Sequence, residues 1–261
     1  MPNAIFFNMA CVTDILDILT DADPIGRIEY ERSHRDTRFS FIGELMEGCE
    51  HPHFHKEGDV WEHTKLVVRN MVKQPLHDYI DVAVALLHDV GKKAALEANH
   101  GKNMVGHELY GARLSSYILA SWDFPENMRD AVIYLVQNHM RAGELVKCKS
   151  KYSAWLLVSD PLFYRMRRIA VADSAGTLGD DGKSICDWEE EFAKSLAGTL
   201  VDEPMPRPIV TFPDLCGLVN PYFLYDALGL AYKLQINGNT DNRSSIVKCV
   251  VNTYKKKKIP Q

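Results

Sequence analysis

Residues 51–64 read HPHFHKEGDVWEHT, four histidines with Glu57, Asp59 and Glu62 among them. Imidazoles and carboxylates together are the ligands of first-row divalent metals. A run this local is a surface tract, a metal clip closed on itself, or one wall of a site that distant helices complete. Periodicity elsewhere points to the last. His63 precedes Leu66, Val67 and Met71 by three, four and eight residues and shares their apolar helix face. His88 follows Ala85 and Val84 by three and four, with Asp89 beside it. His139 follows Leu135 by four and Val132 by seven, and Asp173 follows Ile169 by four and Met166 by seven. Four predicted helices thus each aim a metal-type ligand inward, near one end. A carboxylate on an apolar face, such as Asp173, needs a cation or hydrogen-bond donors. A metal is one way to satisfy the set; singly, each histidine also reads as a core residue whose ring nitrogens are hydrogen-bonded.

The elements that must position these residues read as helices, and long period-2 alternation is nearly absent. Helices are predicted over 59–72, 78–93, 107–122, 125 to about 140, 161–174, 218–235 and 240–255. Gly91 is expected to stop the second as a left-handed C-terminal cap. Asp160 and Pro161 are expected as N-cap and first-turn residue of the fifth. GTLGDDG (176–182) breaks that helix, and PMPRPIVTFP (204–213) reads as an extended connector. The fold class is therefore all-α. With 261 residues, 46% hydrophobic and 25% charged, the chain suits one large domain, or a domain with a smaller appendage.

Composition excludes several classes. Apolar runs such as VAVALL (82–87) are too short to span a bilayer, and the N-terminus does not read as a signal peptide. Six scattered cysteines without a CxxC pair suggest reduced thiols and a cytoplasmic setting. A net charge of -5 argues against bulk coating of nucleic acid. The basic stretches KCKSK (147–151), RMRR (165–168) and KKKK (255–258) still permit local RNA contact.

The ordered set His63, then His88-Asp89 before Val90-Gly91-Lys92, then Asp173, resembles the HD superfamily of metal-dependent phosphohydrolases, with its H…HD…D pattern in a helical bundle. FHKEGDVWEHT (54–64), LLHDVGK (86–92), GHELYGA (106–112), Asn138-His139 and ADSAG (172–176) look like the HD domain of bacterial-type tRNA nucleotidyltransferases and poly(A) polymerase-like proteins. Residues 213–251 are more loosely similar to the tail that follows that domain. The resemblance spans roughly 38–255 and departs from those proteins in one respect: residues 1–36 carry no nucleotidyltransferase active site, so nucleotide addition is not expected. It implies an N-terminal helical extension (1–37), an HD phosphohydrolase domain (38–182) and a C-terminal helical tail (183–261).

The resemblance also implies a ligand set. His63, His88, Asp89 and Asp173 match the one-metal pattern. His107 and His139 complete the H…HD…H…H…D order of two-metal members, in which Asp89 bridges. One or two divalent ions (manganese, iron, nickel, cobalt or zinc) are expected. His55 matches a histidine of the family's HPEGDVW-like element and is read as a substrate-binding or ligand-orienting group. His51 and His53 read as loop residues, and Glu57 and Asp59 as helix caps or histidine orienters.

The expected chemistry is phosphoester hydrolysis by metal-activated water. Asp89 and Lys92 are the catalytic candidates. Lys92 reads as a phosphate clamp, or otherwise as a solvated lysine at a helix C-terminus; Arg141 is a weaker substrate contact. Neither a Ser or Cys nucleophile motif nor a Walker loop is visible. The substrates implied are nucleotide phosphomonoesters and 2',3'-cyclic phosphates at RNA ends. Two other classes remain open: a di-iron HD-fold oxygenase of a small molecule, and a non-catalytic RNA-binding module.

Overall fold

Helix starts and stops fix the architecture, and most follow ordinary capping chemistry. The computed structural model describes residues 12–34, 37–50, 57–122, 124–147, 150–179, 207–238, 242–255 and 257. Among them the secondary structure is helical, with only isolated β-bridges besides. The all-α expectation holds. The elements are α1 Val12–Leu19, α2 Pro24–Ser33, α3 Thr37–Met46, α4 Val60–Met71, α5 Tyr79–Leu87, α6 Lys92–Ala98, α7 His107–Ser121, α8 Glu126–Asn138 and α9 Arg141–Lys147. There follow α10 Lys151–Val158, α11 Phe163–Gly176, α12 Phe212–Leu215, a 3-10 turn Pro221–Phe223, α13 Leu224–Ile236 and α14 Arg243–Tyr254. No helix among the described residues is long and apolar enough to cross a membrane.

The chain divides into two units, Met1–Val146 with Pro161–Phe192, and Lys147–Asp160 with Ala193–Gln261. The helices α1 and α2, expected as a separate extension, cluster with the first unit. Segment 147–160, expected inside the 38–182 domain, clusters with the second. Asn237, just past α13, explains the latter: its Oδ1 accepts from Ser150 Oγ (3.1 Å) and Tyr152 N (3.0 Å), at the start of α10. A boundary at 182/183 lies outside the described residues. The second unit has its own core of Leu215, Ala227, Ala231, Ile246 and Val250.

In the first unit α5 is central. Val82 to Leu87 are all buried, so this helix is apolar all round and needs neighbours on several sides. It packs against α4, α8 and α11, while α7 packs on α8 and α6 on α7. Asp59 starts α4: its Oδ1 accepts from the backbone N–H groups of Trp61 and Glu62 (3.0 Å each), and its Oδ2 from Gly48 N (2.7 Å). Asp78 and Asp81 form a reciprocal capping box on α5.

Two start and stop expectations are corrected. The helix predicted over 78–93 is two, α5 and α6, and Gly91 has φ -86 and ψ -6, right-handed rather than left-handed. Glycine serves there because a Cβ would lie 2.2 Å from both His107 O and Gly111 N, where α7 crosses. Leu162, not Asp160, is the N-cap of α11; the Asp160 N–H donates to Leu157 O at the end of α10.

Candidate metal centre

The four inward histidines sit near helix ends, and chemistry explains why. The last carbonyls of a helix have no intrahelical partner. His88, at the C-cap of α5, donates Nδ1–H to Ala85 O (2.9 Å), and His139, at the C-cap of α8, donates Nδ1–H to Val136 O (2.7 Å). His107 opens α7 and donates Nδ1–H to Met104 O in the preceding loop (3.0 Å). A carbonyl can only accept, so Nδ1 of each ring carries a proton and Nε2 is the atom turned inward. His63, in the first turns of α4, instead has its Nδ1 at 2.8 Å from Glu57 Oε1.

These rings converge with two carboxylates. His63, His88 and Asp173 form one group with ligand atoms all within 4.8 Å of one another, and Asp89, His107 and His139 form another. Asp89 faces both. Its Oδ2 lies 3.2 Å from His88 Nε2 and 3.8 Å from His63 Nε2, and its Oδ1 lies 3.5 Å from His107 Nε2 and 4.0 Å from His139 Nε2. Asp173 Oδ1 is 2.9 Å from His63 Nε2 and 3.8 Å from His88 Nε2. All six are buried except Asp173, whose side chain is 34% exposed and marks the open side.

Charge in the cluster is steeply graded. Burial opposes charging His63, but hydrogen bonds to Asp173 and Glu57, with Asp89 nearby, raise its imidazolium to about 9. Burial, joined by His88 and His107, pulls His139 down to about 4 and keeps its lone pair available. Burial would raise the Asp89 carboxyl, yet His88, Lys92 and His107 hold it well below the usual range. Partial burial would raise Asp173 too, yet His63 and His88 hold it low.

The donor set fits a metal. Among the described residues His88 Nε2 is buried with no well-aligned hydrogen-bond partner, although Asp89 Oδ2 lies 3.2 Å away, and His107 and His139 face each other Nε2 to Nε2 at 3.3 Å. Nitrogen lone pairs and carboxylate oxygens that converge in this way can hold a first-row divalent ion. No protein-family model matches the chain, and no curated protein matches it either.

The remaining expectations divide. Lys92 is not solvated: it is buried, with Nζ 2.6 Å from Asp89 Oδ2. Asp89 and Asp173 hold it charged, above its ordinary value, although burial opposes this. Arg141 is not joined to the cluster by a hydrogen bond; among the described residues its partner is Asn138 Oδ1 (3.3 Å). His51, His53 and His55 lie outside the described residues. Asp59 caps α4, whereas Glu57 orients His63.

Sequence reasoning missed the strut that sets α5 against α11. Within RMRR, Arg165 binds Asp78 through two nitrogens (2.8 and 2.7 Å) and reaches Asp81 Oδ1 (2.9 Å), while Arg168 reaches Asp81 Oδ2 (2.9 Å). The signal was present in the matched three-residue spacing of Asp78/Asp81 and Arg165/Arg168. Two arginines read as a basic surface stretch are spent on positioning the helices of His88 and Asp173.

Proposed function

We propose that the protein is a metal-dependent phosphohydrolase of the HD type, cleaving phosphoester bonds of nucleotides or RNA ends. The observation that carries this reading is Asp89, whose two oxygens each face one histidine group while Lys92 stands beside it. Two divalent ions would be held, one by His63, His88, Asp173 and Asp89, the other by Asp89, His107 and His139. Such ions supply water of lowered pKa and polarise a phosphoryl oxygen.

The chain's own residues set the rest. The three backbone-held rings keep their ligand atoms preorganised. Lys92 brings a positive charge to the cluster, suited to a non-bridging phosphate oxygen. The one-third exposed Asp173 gives the open side from which a phosphoester would approach. The test is a screen of protein loaded with manganese, cobalt, nickel or zinc against 2',3'-cyclic phosphates, nucleoside monophosphates, dNTPs and cyclic nucleotides. Metal-dependent release of a phosphate product is expected. Metal-loaded protein that turns over none of them would sink the proposal, and oxygen consumption by the iron-loaded form would favour the oxygenase class.

A further inference from the structure

Three of the four histidines are oriented by backbone carbonyls; His63 is not. It lies at the N-terminal end of α4, where helical carbonyls are engaged and it is N–H groups that are left over. Its partner is a side chain, Glu57, which is itself only 1% exposed. Glu57 accepts twice. Oε1 lies 2.8 Å from His63 Nδ1, and Oε2 accepts from Leu178 N at 3.0 Å, two residues past the end of α11. Gly58 has φ +123, a conformation that L side chains rarely adopt, between Glu57 and the N-cap Asp59. Behind the ring, Gly176 lets α11 approach α4: a Cβ there would lie 2.9 Å from Val67 Cγ2 and 3.6 Å from His63 Cε1. One carboxylate thus ties the ring of His63 to the segment that leaves the Asp173 helix.

The two halves of the centre are consequently unequal. The His63–His88–Asp173 half has a whole carboxylate of its own, shares Asp89 Oδ2, and contains a ring backed by a second carboxylate. The other half has two carbonyl-backed rings and Asp89 Oδ1; Glu108 Oε2 lies 3.7 Å from His107 Nδ1, beyond hydrogen-bond distance. A carboxylate behind a ligating imidazole makes it a stronger base than a carbonyl does.

Resting on the metal-centre reading above, we propose that Glu57 is a positioning residue that makes the His63–His88–Asp173 half the tighter of two metal sites. The experiment is a Co²⁺ titration of metal-free full-length protein, followed by calorimetry and visible absorption. The parent should bind two ions in two separated steps, and His139→Ala should remove the weaker step alone. Glu57→Gln keeps size but replaces one carboxylate oxygen by an NH2 donor, which would face the N–H of either His63 or Leu178. It should weaken the tighter step by ~10–100-fold and leave the weaker one in place. A Glu57→Gln titration indistinguishable from the parent's would overturn the proposal. Equal weakening of both steps, or two equal steps in the parent, would do the same. Should Glu57→Gln not fold, ring-nitrogen NMR of Zn²⁺-loaded parent decides: His63 protonated at Nδ1 supports the proposal, and protonation at Nε2 overturns it. A parent that binds no Co²⁺ at all would instead overturn the metal centre itself.

Discussion

His107 and His139 meet nitrogen to nitrogen, with Nε2 atoms 3.3 Å apart, and each has its Nδ1–H committed to a backbone carbonyl. Both Nε2 atoms therefore point at one small volume, with Asp89 Oδ1 3.5 and 4.0 Å away. Lone pairs repel unless a proton or a cation lies between them. A proton would serve one ring; a divalent ion serves both rings and the carboxylate.

Removing either ring tests this directly. His107→Ala and His139→Ala should each leave one ion per chain by elemental analysis, where the parent holds two at saturating metal. Turnover should fall by more than ~100-fold, since losing a ligand costs more than losing a group that merely orients one. Parent stoichiometry in either variant would count against the assignment.

Asp89 is the residue that faces both groups, so Asp89→Ala should remove bound metal and activity together. It also leaves buried Lys92 without its nearest anion. The metal-free variant should be less stable by about 3–5 kcal/mol in urea titration, the cost of breaking a buried pair. Full metal content with near-normal turnover would refute the central placement of this carboxylate.

Lys92→Ala separates charge stabilisation from metal binding. If the ammonium meets charge developing on a phosphoryl oxygen, the variant should lose about 2.7–4 kcal/mol of transition-state stabilisation, the range for a lost oxyanion donor. Metal content should remain, because a protonated lysine is no ligand. Lys92→Arg should recover only part of the rate, a planar fork replacing a compact charge in a buried place. Parent kinetics in the alanine variant would make Lys92 a structural partner of Asp89 and nothing more.

Gly91→Ala places a Cβ 2.2 Å from His107 O and Gly111 N, both backbone atoms that no rotamer change can clear. A loss on the order of 3 kcal/mol is expected, the upper end for overpacking. Because His107 must shift, the metal step that depends on it should weaken as well. A melting temperature equal to the parent's would show that α6 and α7 can separate freely.

The strut between α5 and α11 predicts an acid-side slope. Asp78 lies below its ordinary value because hydrogen bonds from Arg165 and from the backbone of Asp81 and Ile80 outweigh burial. A depressed carboxyl contributes stability above its unfolded value of about 3.9, and that contribution is lost as pH falls through the lower folded value. Arg165→Met should therefore be less stable at neutral pH, yet lose less than the parent between about pH 5 and 3. Parallel urea-derived stability curves would show that Arg165 does not act through Asp78.

The sequence by itself determined the helical class and, through apolar periodicity, that His63, His88, His139 and Asp173 turn inward from four helices. Those are local facts: a 3.6-residue repeat decides which face of a helix is buried whatever it packs on. Asp59 was legible as a helix cap or a histidine orienter, and the structure makes it the cap of α4. Tertiary structure decided what depends on chain segments meeting. It brought Asp89 between two histidine groups, buried Lys92, put Arg165 and Arg168 on Asp78 and Asp81, and set Glu57 behind His63. Gly91 shows the limit most clearly. Its sequence context predicted a left-handed cap, but the backbone of α7, sixteen to twenty residues further on, passes so close that only a residue without a Cβ fits. No periodicity within a helix carries that information, because the restricting atoms belong to another one.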